Sequence, residues 1–522
     1  MNRRQFIQTG LFSGAACAMP GLFAAVTPSV RKLGLNERPT VAMIGLGLQG
    51  RGLLNQFLGQ PVVVVRVCDC DSVRRADALR RVREYYEKHP DLGIPADACR
   101  EEPDFRKVIE DPGIDMVCVA TPDHWHAYMV VEAMKHGKDV YCEKPLTYSV
   151  DEARVIVEVA ERTGRILQTG AMQRSGFEFL SACEIVRSGL IGEVKYVENQ
   201  FGGPASPRRP YRDMKNWEKE GAENKDCDFK MWLGAAPEVP YSDELAPRGV
   251  HNFFPGFWRE DDFFGSGGCG DWGAHHMDIT QWGLGHDGTG PVKVIGSVEG
   301  RAGNWERGFR HQSGARLLFA DGTELAHVGG TRWGTVFYGD RGLVCVDRGR
   351  FAFWAGDASG LRGDRKVRSR ISDGTFDGLK KVAYYNGRYK ERVNGVEKEI
   401  DSGTEEFGRS AMEALKKAAA FLDVKMCDDR KRGYDFKTKL YKSDNHVKNF
   451  VECFLARKDT ISNHRVGPWT SVLCQLVHMS YVHDVGFDWD PKKMTFANGT
   501  GNLEWLSRRE LRPYTGKFEV KA

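Results

Sequence analysis

Residues 265–278, Gly-Ser-Gly-Gly-Cys-Gly-Asp-Trp-Gly-Ala-His-His-Met-Asp, hold the densest group of chemically active side chains. Asp271 and His275 are four residues apart, so they would share one face of a helix, and His276 would point about 100° away. Histidine can accept the proton of a secondary alcohol during oxidation, and a carboxylate can orient the ring. We therefore predict His275 as the base and Asp271 as its partner. The alternative is that Asp271 caps a helix and His275 packs in a core.

A glycine motif near the start of the chain indicates nucleotide binding. The apolar run 41–44 is followed by Gly45-Leu46-Gly47-Leu48-Gln49-Gly50, then by a helical stretch and a second apolar run, 62–67. In this setting Gly45 allows a tight turn, Gly47 lets the backbone approach a pyrophosphate, and Gly50 lets helix and strand pack closely. Asp69 follows the second run, where it would accept hydrogen bonds from a ribose and repel a 2′-phosphate. The motif therefore predicts NAD as cofactor, and NADP stays the less favoured alternative because Arg74 and Arg75, which lie nearby, could compensate the charge of a 2′-phosphate.

Strands and helices continue to alternate after this motif, which predicts a doubly wound parallel sheet with ligands beyond the carboxyl ends of its strands. Ser149 and Glu152 predict a capping box at the start of one helix. Polar residues follow three of the predicted strands. The candidate cofactor contacts are the glycine loop with Leu48 and Gln49, Asp69, Thr121, Pro122, His126, Glu143, Lys144 and Gln173.

Four motifs in order resemble one known family, the Gfo/Idh/MocA oxidoreductases. They are the glycine loop, Thr-Pro-x-x-x-His at 121–126, Glu-Lys-Pro at 143–145 and Asp-x-x-x-His at 271–275. The resemblance implies an α/β protein: an N-terminal Rossmann domain, then an α/β domain whose large, open, mostly antiparallel sheet often mediates oligomerisation. It also implies NAD(P)-linked chemistry on sugars and polyols. Lys144 matches the active-site lysine of the family, so we expect it to hydrogen-bond the reacting oxygen.

Aromatic and basic side chains near the predicted catalytic segment are candidates for substrate contact. Aromatic faces suit the apolar faces of sugars, and the alternative is simple core packing. The candidates are Arg174, Trp258, Arg259, Trp272 and His276. Paired histidines at 124 and 126 and at 275 and 276 lack cysteine or carboxylate spacing of a familiar kind, so we predict no metal.

Composition and net charge indicate more than one globular domain and argue against a nucleic-acid-binding or disulfide-bonded protein. The chain has 522 residues, 41% hydrophobic and 28% charged, which is typical of globular domains and is too long for one ordinary domain. A net charge of +4 gives no basis for a nucleic-acid partner. Thirteen cysteines are present, but several fall in apolar strand-like runs, so we do not expect disulfides.

The first thirty residues resemble an export signal. Arg3 and Arg4 precede an uncharged, Gly- and Ala-rich stretch that is too weakly apolar for a membrane span, as in twin-arginine signals. Gly14-Ala15-Ala16-Cys17 has the small residues of a lipoprotein site but lacks its usual leucine, so lipid anchoring at Cys17 is the less favoured alternative. We predict a periplasmic protein without a transmembrane span.

Five regions are predicted along the chain. Residues 1–33 are the signal and linker, 34–170 the Rossmann domain, and 171–360 the substrate and oligomerisation domain. Residues 361–442, with 21 basic and 14 acidic residues, are expected to be a charged surface insertion with a helix at 405–424. Residues 443–522 are expected to be a helical extension that packs on the domains.

These features together predict an NAD-dependent oxidoreductase acting on a secondary hydroxyl of a sugar or glycoside, which would be its small-molecule partner. Because free NAD is scarce outside the cytoplasm, an exported enzyme would retain and recycle its cofactor, and resemblance to glycoside 3-dehydrogenases favours the hydroxyl at C3. One alternative is an NAD-dependent glycosidase that oxidises C3 transiently and eliminates the aglycone. A second is a non-catalytic sugar-binding protein with structural NAD.

Overall fold

The computed structural model describes residues 38–205, 224–243, 245–251, 257–297, 313–329, 333–361, 376, 378–393, 396–427 and 433–507. Its N-terminal domain is a six-stranded parallel sheet with the order β3-β2-β1-β4-β5-β6. The strands are β1 Thr40–Ile44, β2 Val63–Cys68, β3 Arg100–Glu102, β4 Met116–Val119, β5 Asp139–Cys142 and β6 Leu167–Thr169. The predicted doubly wound Rossmann sheet is confirmed.

Helices separate these strands and cover both faces of the sheet. They are α1 Leu48–Leu58, α2 Ser72–Lys88, α3 Phe105–Glu110, α4 Asp123–Lys135 and α5 Val150–Thr163. The central strands β4 and β5 are buried along their whole length, which explains their unbroken apolar runs. Ser149 and Glu152 form the predicted capping box at the start of α5. Two clusters of apolar residues, one on each face, make up the core of this domain.

The second domain is built on a sheet of ten strands in the order β14-β13-β12-β11-β7-β10-β9-β8-β17-β18. Its neighbours pair antiparallel where the register is given, except that β10 and β7 are parallel. The strands are β7 Val194–Gln200, β8 Lys293–Ile295, β9 Arg316–Leu318, β10 Glu324–Val328, β11 Thr335–Gly339, β12 Gly342–Asp347, β13 Arg350–Ala355, β14 Lys380–Tyr385, β17 Phe487–Asp490 and β18 Thr495–Phe496. The predicted large, mostly antiparallel sheet is confirmed.

Four short or medium helices precede or cover this sheet: α6 Phe177–Arg187, α7 Phe229–Leu233, α8 Gly267–Asp271 and α9 Gly273–Leu284. Of these, α6 and α9 pack against each other and against the sheet, with apolar side chains buried in one large cluster. Helices α8 and α9 are separated at Trp272, so the predicted single helix through residues 271–278 is interrupted. This break changes which side chains Asp271 meets.

Residues 376–427 differ from the surface insertion that their charge predicted. They supply strand β14 at the edge of the large sheet and helix α10 Ala411–Phe421, whose Ala414, Leu415 and Ala418 are buried. A small two-stranded sheet, β15 Arg388–Val393 with β16 Val396–Asp401, carries the charged part. The charge pattern hid this role because β14 begins with two lysines and α10 carries two more, while the residues that pack on the sheet, Ala383 in β14 and one face of α10, are apolar.

The C-terminal part of the chain joins the two domains. Helix α11 His446–Ala456 packs on the Rossmann domain, where Val447 and Phe450 enter its core. Helix α12 Gly467–His483 is buried against α5 and α9. Strands β17 and β18 then extend the large sheet, so this part of the chain is not helical throughout.

The predicted export signal and Cys17 lie outside the described residues. Within the described part of the chain, no helix has the length and hydropathy needed to cross a bilayer.

Candidate active site

One cavity of about 800 Å³ lies beyond the carboxyl ends of the parallel strands and extends to the second domain. Predicted site residues from both domains line it. They are Gly45, Gly47, Leu48, Gln49, Asp69, Thr121, Pro122, His126, Glu143, Lys144, Gln173, Trp258, Arg259, Asp271, Trp272 and His275. The structure therefore brings most of the predicted cofactor and catalytic residues to one place.

The glycine loop has the geometry that its three glycines predict. Gly45 has a φ of +88°, and a Cβ there would lie 2.6 Å from the Ala120 backbone. A Cβ on Gly50 would lie 1.9 Å from the Gly45 carbonyl oxygen, so this glycine allows close packing and does not line the cavity. Gly47 caps α1 without a side-chain hydrogen bond, which leaves the helix N-terminus open to an anion.

Asp69 is held at the end of β2 by backbone donors. The Leu46 and Asp71 amides donate to its carboxylate over 2.7 and 2.9 Å. Arg74 and Arg75, the two arginines that could compensate the charge of a 2′-phosphate, both have protein partners. Arg74 donates to the Pro247 carbonyl at 2.6 Å, and Arg75 donates to the Asp69 carbonyl at 2.7 Å. The carboxylate of Asp69 thus remains the dominant group at this end of the cavity.

Glu143 and Gln49 connect the glycine loop to the end of β5. The Gln49 amide donates to Glu143 Oε1 over 2.8 Å, and burial raises the pKa of Glu143 despite the nearby Lys144 charge. A Cβ on Gly170 would lie 2.7 Å from the same oxygen, so the glycine makes room for the carboxylate. His126 is buried, with its ring nitrogens 2.7 Å from the Pro145 carbonyl and 2.9 Å from the Thr121 carbonyl. Burial lowers the pKa of this histidine.

Lys144 and Asp271 form an ion pair across the two domains. The Lys144 ammonium donates to Asp271 Oδ1 and also to the Asp271 carbonyl at 3.2 Å. Arg259 Nε lies 3.9 Å from the other carboxylate oxygen. Burial alone would raise the pKa of Asp271, but the positive charges of Lys144 and Arg259 outweigh it and lower the pKa. Asp271 is therefore ionised.

The structure does not form the predicted hydrogen bond between Asp271 and His275. The break at Trp272 separates the two helical segments, the Asp271 carboxylate is taken by Lys144, and His275 Nδ1 has no hydrogen-bond partner. Burial, followed by the charges of Lys144 and Arg348, lowers the pKa of His275 well below its usual value. His275 is therefore a neutral base in the cavity, held by packing instead of by a carboxylate.

The predicted substrate contacts divide into two groups. Trp258, Arg259 and Trp272 line the cavity, with the Arg259 guanidinium 4.2 Å from the centre of the Trp258 ring. His276 does not line it: the ring is buried, stacks on Trp272 at 5.8 Å and packs on Gly334.

Arg174 also lies away from the cavity. Its side chain is 1% exposed, and it donates to Asp278 at 2.7 Å and to Asp287 at 2.7 and 2.9 Å. The guanidinium also lies 5.2 Å from the centre of the Trp282 ring. The sequence indicated polar contact with a substrate because Arg174 follows a strand of the sheet, but the buried carboxylate of Asp278 and the partly exposed carboxylate of Asp287 hold it in the core.

The charged residues of the cavity that the sequence analysis missed include Asp123 and Arg348. Asp123 is 6% exposed, and burial raises its pKa to about 7, although Lys144 and Arg259 oppose this. Its only signal was its place between Pro122 and the histidines of α4. Arg348 lies in the β12–β13 turn, 4.8 Å from the centre of the Trp272 ring. No sequence spacing relates it to the other site residues.

Two family models match segments of this chain. Residues 40–171 match the model of the oxidoreductase family with an NAD-binding Rossmann fold, and residues 211–336 match the model of its C-terminal alpha/beta domain. The chain belongs to the Gfo/Idh/MocA oxidoreductase family. The predicted family is thereby confirmed, and so is NAD as the cofactor its Rossmann domain binds.

Curated members of the family align with only part of this chain. A glycosyl hydrolase family 109 protein of Shewanella pealeana is 31% identical over 215 residues, 38% of this chain and 46% of that protein. A scyllo-inositol 2-dehydrogenase (NAD(+)) of Bacillus subtilis is 33% identical over 158 residues, 30% of this chain and 42% of that protein. The chain thus spans less than half the length of each. A solved myo-inositol 2-dehydrogenase of Lactobacillus plantarum is 16% identical, with a TM-score of 0.46, over 87% of this chain and 99% of that one.

Buried polar atoms of this family member fit a dinucleotide. The Thr121 hydroxyl and both amide atoms of Gln173 are buried without a hydrogen-bond partner, and both residues line the cavity. Such atoms are costly to leave unpaired, so a polar ligand that pairs with them is favoured. Together with the open helix N-terminus and Asp69, they form the set of donors and acceptors that NAD requires. Within the described residues there is no group of three or more potential metal-ligating side chains.

Proposed function

We propose that this protein is an NAD-dependent oxidoreductase that acts on a secondary hydroxyl of a sugar or glycoside. The observation that carries the proposal is the meeting of Lys144, Asp271 and neutral His275 in the cavity that also holds the glycine loop. A sugar-binding protein without catalysis needs no base in the cavity of the nucleotide loop. The relative that is named as a scyllo-inositol 2-dehydrogenase (NAD(+)) supports the same chemistry.

The roles of the three residues follow from their charges. Bound NAD would supply the hydride acceptor. His275, whose pKa is held down by burial and by Lys144 and Arg348, is unprotonated at neutral pH and takes the hydroxyl proton. Lys144 donates to the same oxygen and stabilises the negative charge that develops there. Asp271 holds the ammonium of Lys144 in place, so its role is to orient the lysine and not the histidine.

Aromatic and basic side chains opposite this group would hold the sugar. Trp258 and the half-exposed Trp272 offer flat apolar faces to its C–H bonds, and Arg259 and Arg348 offer donors to its hydroxyls. The proposal includes C3 as the oxidised carbon, retention of NAD between turnovers, a periplasmic location and assembly of copies through the large sheet. Fractionation of cells and light scattering of the purified chain would test the last two.

An NAD-dependent glycosidase is the second candidate, and two observations favour it. Several curated relatives are named as glycosyl hydrolase family 109 proteins, and one as an alpha-N-acetylgalactosaminidase. Elimination of an aglycone after oxidation at C3 requires a further base for the proton at C2. Asp123 lines the cavity and has a pKa of about 7, so it is a carboxylate in part of the molecules at neutral pH and could take that proton.

The test records the near-ultraviolet absorbance of reduced nicotinamide while a simple glucoside with a chromogenic aglycone is added to the isolated protein, with no nucleotide supplied. A lasting rise without aglycone release supports the oxidoreductase. Release of aglycone without a lasting rise supports the glycosidase. Neither signal, from protein shown to contain NAD and offered a panel of glycosides, would contradict both.

Two histidine variants provide a matched pair for this test. His275→Ala removes the proposed base, so hydride transfer should fall by about 10²–10⁴-fold. His276→Ala removes a buried ring beside it that does not line the cavity, so turnover by the folded protein should change little. Full activity of His275→Ala with loss in His276→Ala would show that the base is assigned to the wrong ring.

A further inference from the structure

Two of the twelve cysteines in the described residues lie side by side next to the cofactor cavity. Nine of the twelve are buried, and Cys70, Cys227 and Cys427 are the partly exposed ones. The Cys70 and Cys227 sulfurs are 3.8 Å apart. The Cys427 sulfur instead contacts Asp435 and Lys439.

The backbone holds Cys70 and Cys227 within reach of a disulfide. Asp71 and Cys227 form an antiparallel bridge, flanked by hydrogen bonds from the Asp228 amide to the Cys70 carbonyl at 3.0 Å and from the Ser72 amide to the Asp226 carbonyl at 2.7 Å. Cys70 precedes Asp71, so it lies one residue from the position directly opposite Cys227, and the two sulfurs are nevertheless in contact at 3.8 Å. Rotation of the two side chains with a small backbone adjustment would bring the sulfurs to the S–S bond length of about 2.05 Å.

The pair lies where a segment of the second half of the chain crosses the cavity. We call the described residues 224–243 and 245–251 the strap. Its Trp232, Leu245 and Pro247 line the cavity, and its apolar side chains form a small core of their own, against which both cysteines pack. On the other side, Cys70 lines the cavity directly after Asp69, and its thiol lies 3.7 Å from the Asp69 carboxylate.

Only non-covalent contacts hold the strap to the nucleotide-binding domain in the thiol form. Besides the bridge at Asp71, one of them is the hydrogen bond from Arg74 to the Pro247 carbonyl. Two more join the Trp232 carbonyl to the Trp125 indole and the His124 imidazole, which both lie within hydrogen-bond distance of it. A covalent bond at Cys227 would keep the start of the strap attached to the end of β2.

We propose that Cys70 and Cys227 form a disulfide that fastens the strap over the ribose-binding end of the dinucleotide cavity and slows release of the nucleotide. The proposal rests on the proposed function only in taking the retained ligand to be NAD. It assigns a site of oxidative modification to a partly exposed thiol pair that takes no part in the proposed catalysis.

The chemistry requires a small-molecule disulfide as oxidant. The Cys227 thiolate attacks one of its sulfurs and releases one thiol, and the Cys70 sulfur then attacks the mixed disulfide and releases the second. Two protein thiols are oxidised, one disulfide is reduced to two thiols, and both protein protons end on the released thiols. The hydrogen bond with Cys227, followed by burial, raises the pKa of Cys70, which favours Cys227 as the first to react.

The first experiment detects the bond itself. The full-length protein is incubated with oxidised glutathione or with dithiothreitol, denatured, alkylated with N-ethylmaleimide and measured by mass spectrometry. Oxidised wild type should carry two fewer maleimide groups and yield a peptide joining Cys70 to Cys227. Cys427→Ser should still form the bond, and Cys227→Ser should not. Glutathione adducts without the joined peptide, or full alkylation after oxidation, would overturn the proposal.

The second experiment measures what the bond does. Protein loaded with NADH is mixed with excess NAD, and release is followed by NADH fluorescence. Release from oxidised wild type and Cys427→Ser should be at least tenfold slower than from their reduced forms, whereas Cys227→Ser should release at one rate in both conditions. Equal rates with the bond formed would overturn its fastening role.

Amide hydrogen exchange of residues 226–233 gives a readout that needs no nucleotide. Exchange should slow on oxidation in wild type and Cys427→Ser but not in Cys227→Ser. A joined, slow-exchanging strap in a chain that binds no NADH would support the disulfide and contradict the proposed function. Unchanged exchange in a joined chain would show that the bond does not hold the strap.

Discussion

Removing the charge of Arg174 should destabilise the protein without affecting substrate binding. Arg174 and Asp278 are each 1% exposed, so Arg174→Met leaves the Asp278 carboxylate buried without its cation. Breaking such a pair by removing one partner costs about 3–5 kcal/mol in the free energy of unfolding. Because burial already raises the pKa of Asp278, proton uptake by that carboxyl would keep the loss toward the lower end of this range at acidic pH.

Two control variants separate this cost from a general effect of mutation. The Asp287 carboxylate is 34% exposed, so Asp287→Asn should cost only about 1 kcal/mol, as for pairs near the surface. The double variant Arg174→Met with Asp278→Leu leaves no fully buried charge without a partner, because the remaining Asp287 carboxylate is 34% exposed, and it should recover much of the loss. Urea unfolding followed by circular dichroism measures all three. Unchanged stability of Arg174→Met, together with a KM for the glycoside raised tenfold or more, would show that Arg174 contacts substrate and refute this reasoning.

Three further predictions concern the cavity. Arg348→Gln removes a charge that lowers the pKa of His275, so that pKa should rise and the acid limb of the kcat/KM profile should move to higher pH; an unmoved limb would contradict His275 as the base. Gly170→Ala places a Cβ 2.7 Å from the Glu143 carboxylate, so calorimetry should show NAD affinity reduced about tenfold, and an unchanged Kd would argue against this contact. If the protein is a glycosidase, Asp123→Asn should reduce aglycone release about 10²-fold while single-turnover hydride transfer persists; equal losses of both would exclude a role confined to C2.

Local features of the fold could be predicted from the sequence because they depend on interactions between residues that are close together in the chain. The turn at Gly45 requires a positive φ and the close approach at Gly50 excludes a side chain, so a spacing of glycines after an apolar run identifies the nucleotide loop. The Ser149 capping box is likewise complete within four residues. The parallel sheet followed from alternating apolar runs, because both faces of its central strands are buried.

Pairings between distant residues were decided by the tertiary structure alone. Asp271 and His275 were expected to pair because they are four residues apart, but the helix breaks at Trp272 and Lys144, 127 positions away in the chain, takes the carboxylate. Arg174 was expected in the cavity and lies in the core, because Asp278 and Asp287 meet it there.

A helix at 405–424 was predicted, but the packing of α10 and β14 on the large sheet was not. The net positive charge of residues 361–442 indicated a surface segment, whereas the apolar residues of β14 and α10 pack on the sheet. The sequence by itself thus determined the nucleotide-binding fold, its family and the positions of Lys144 and His275 at a shared crevice. Only the tertiary structure decided which carboxylate pairs with which cation, and that Asp123 and Arg348 enter the cavity. Both depend on how separate elements pack, because the energy of a buried charge is set by the partners that the fold brings to it.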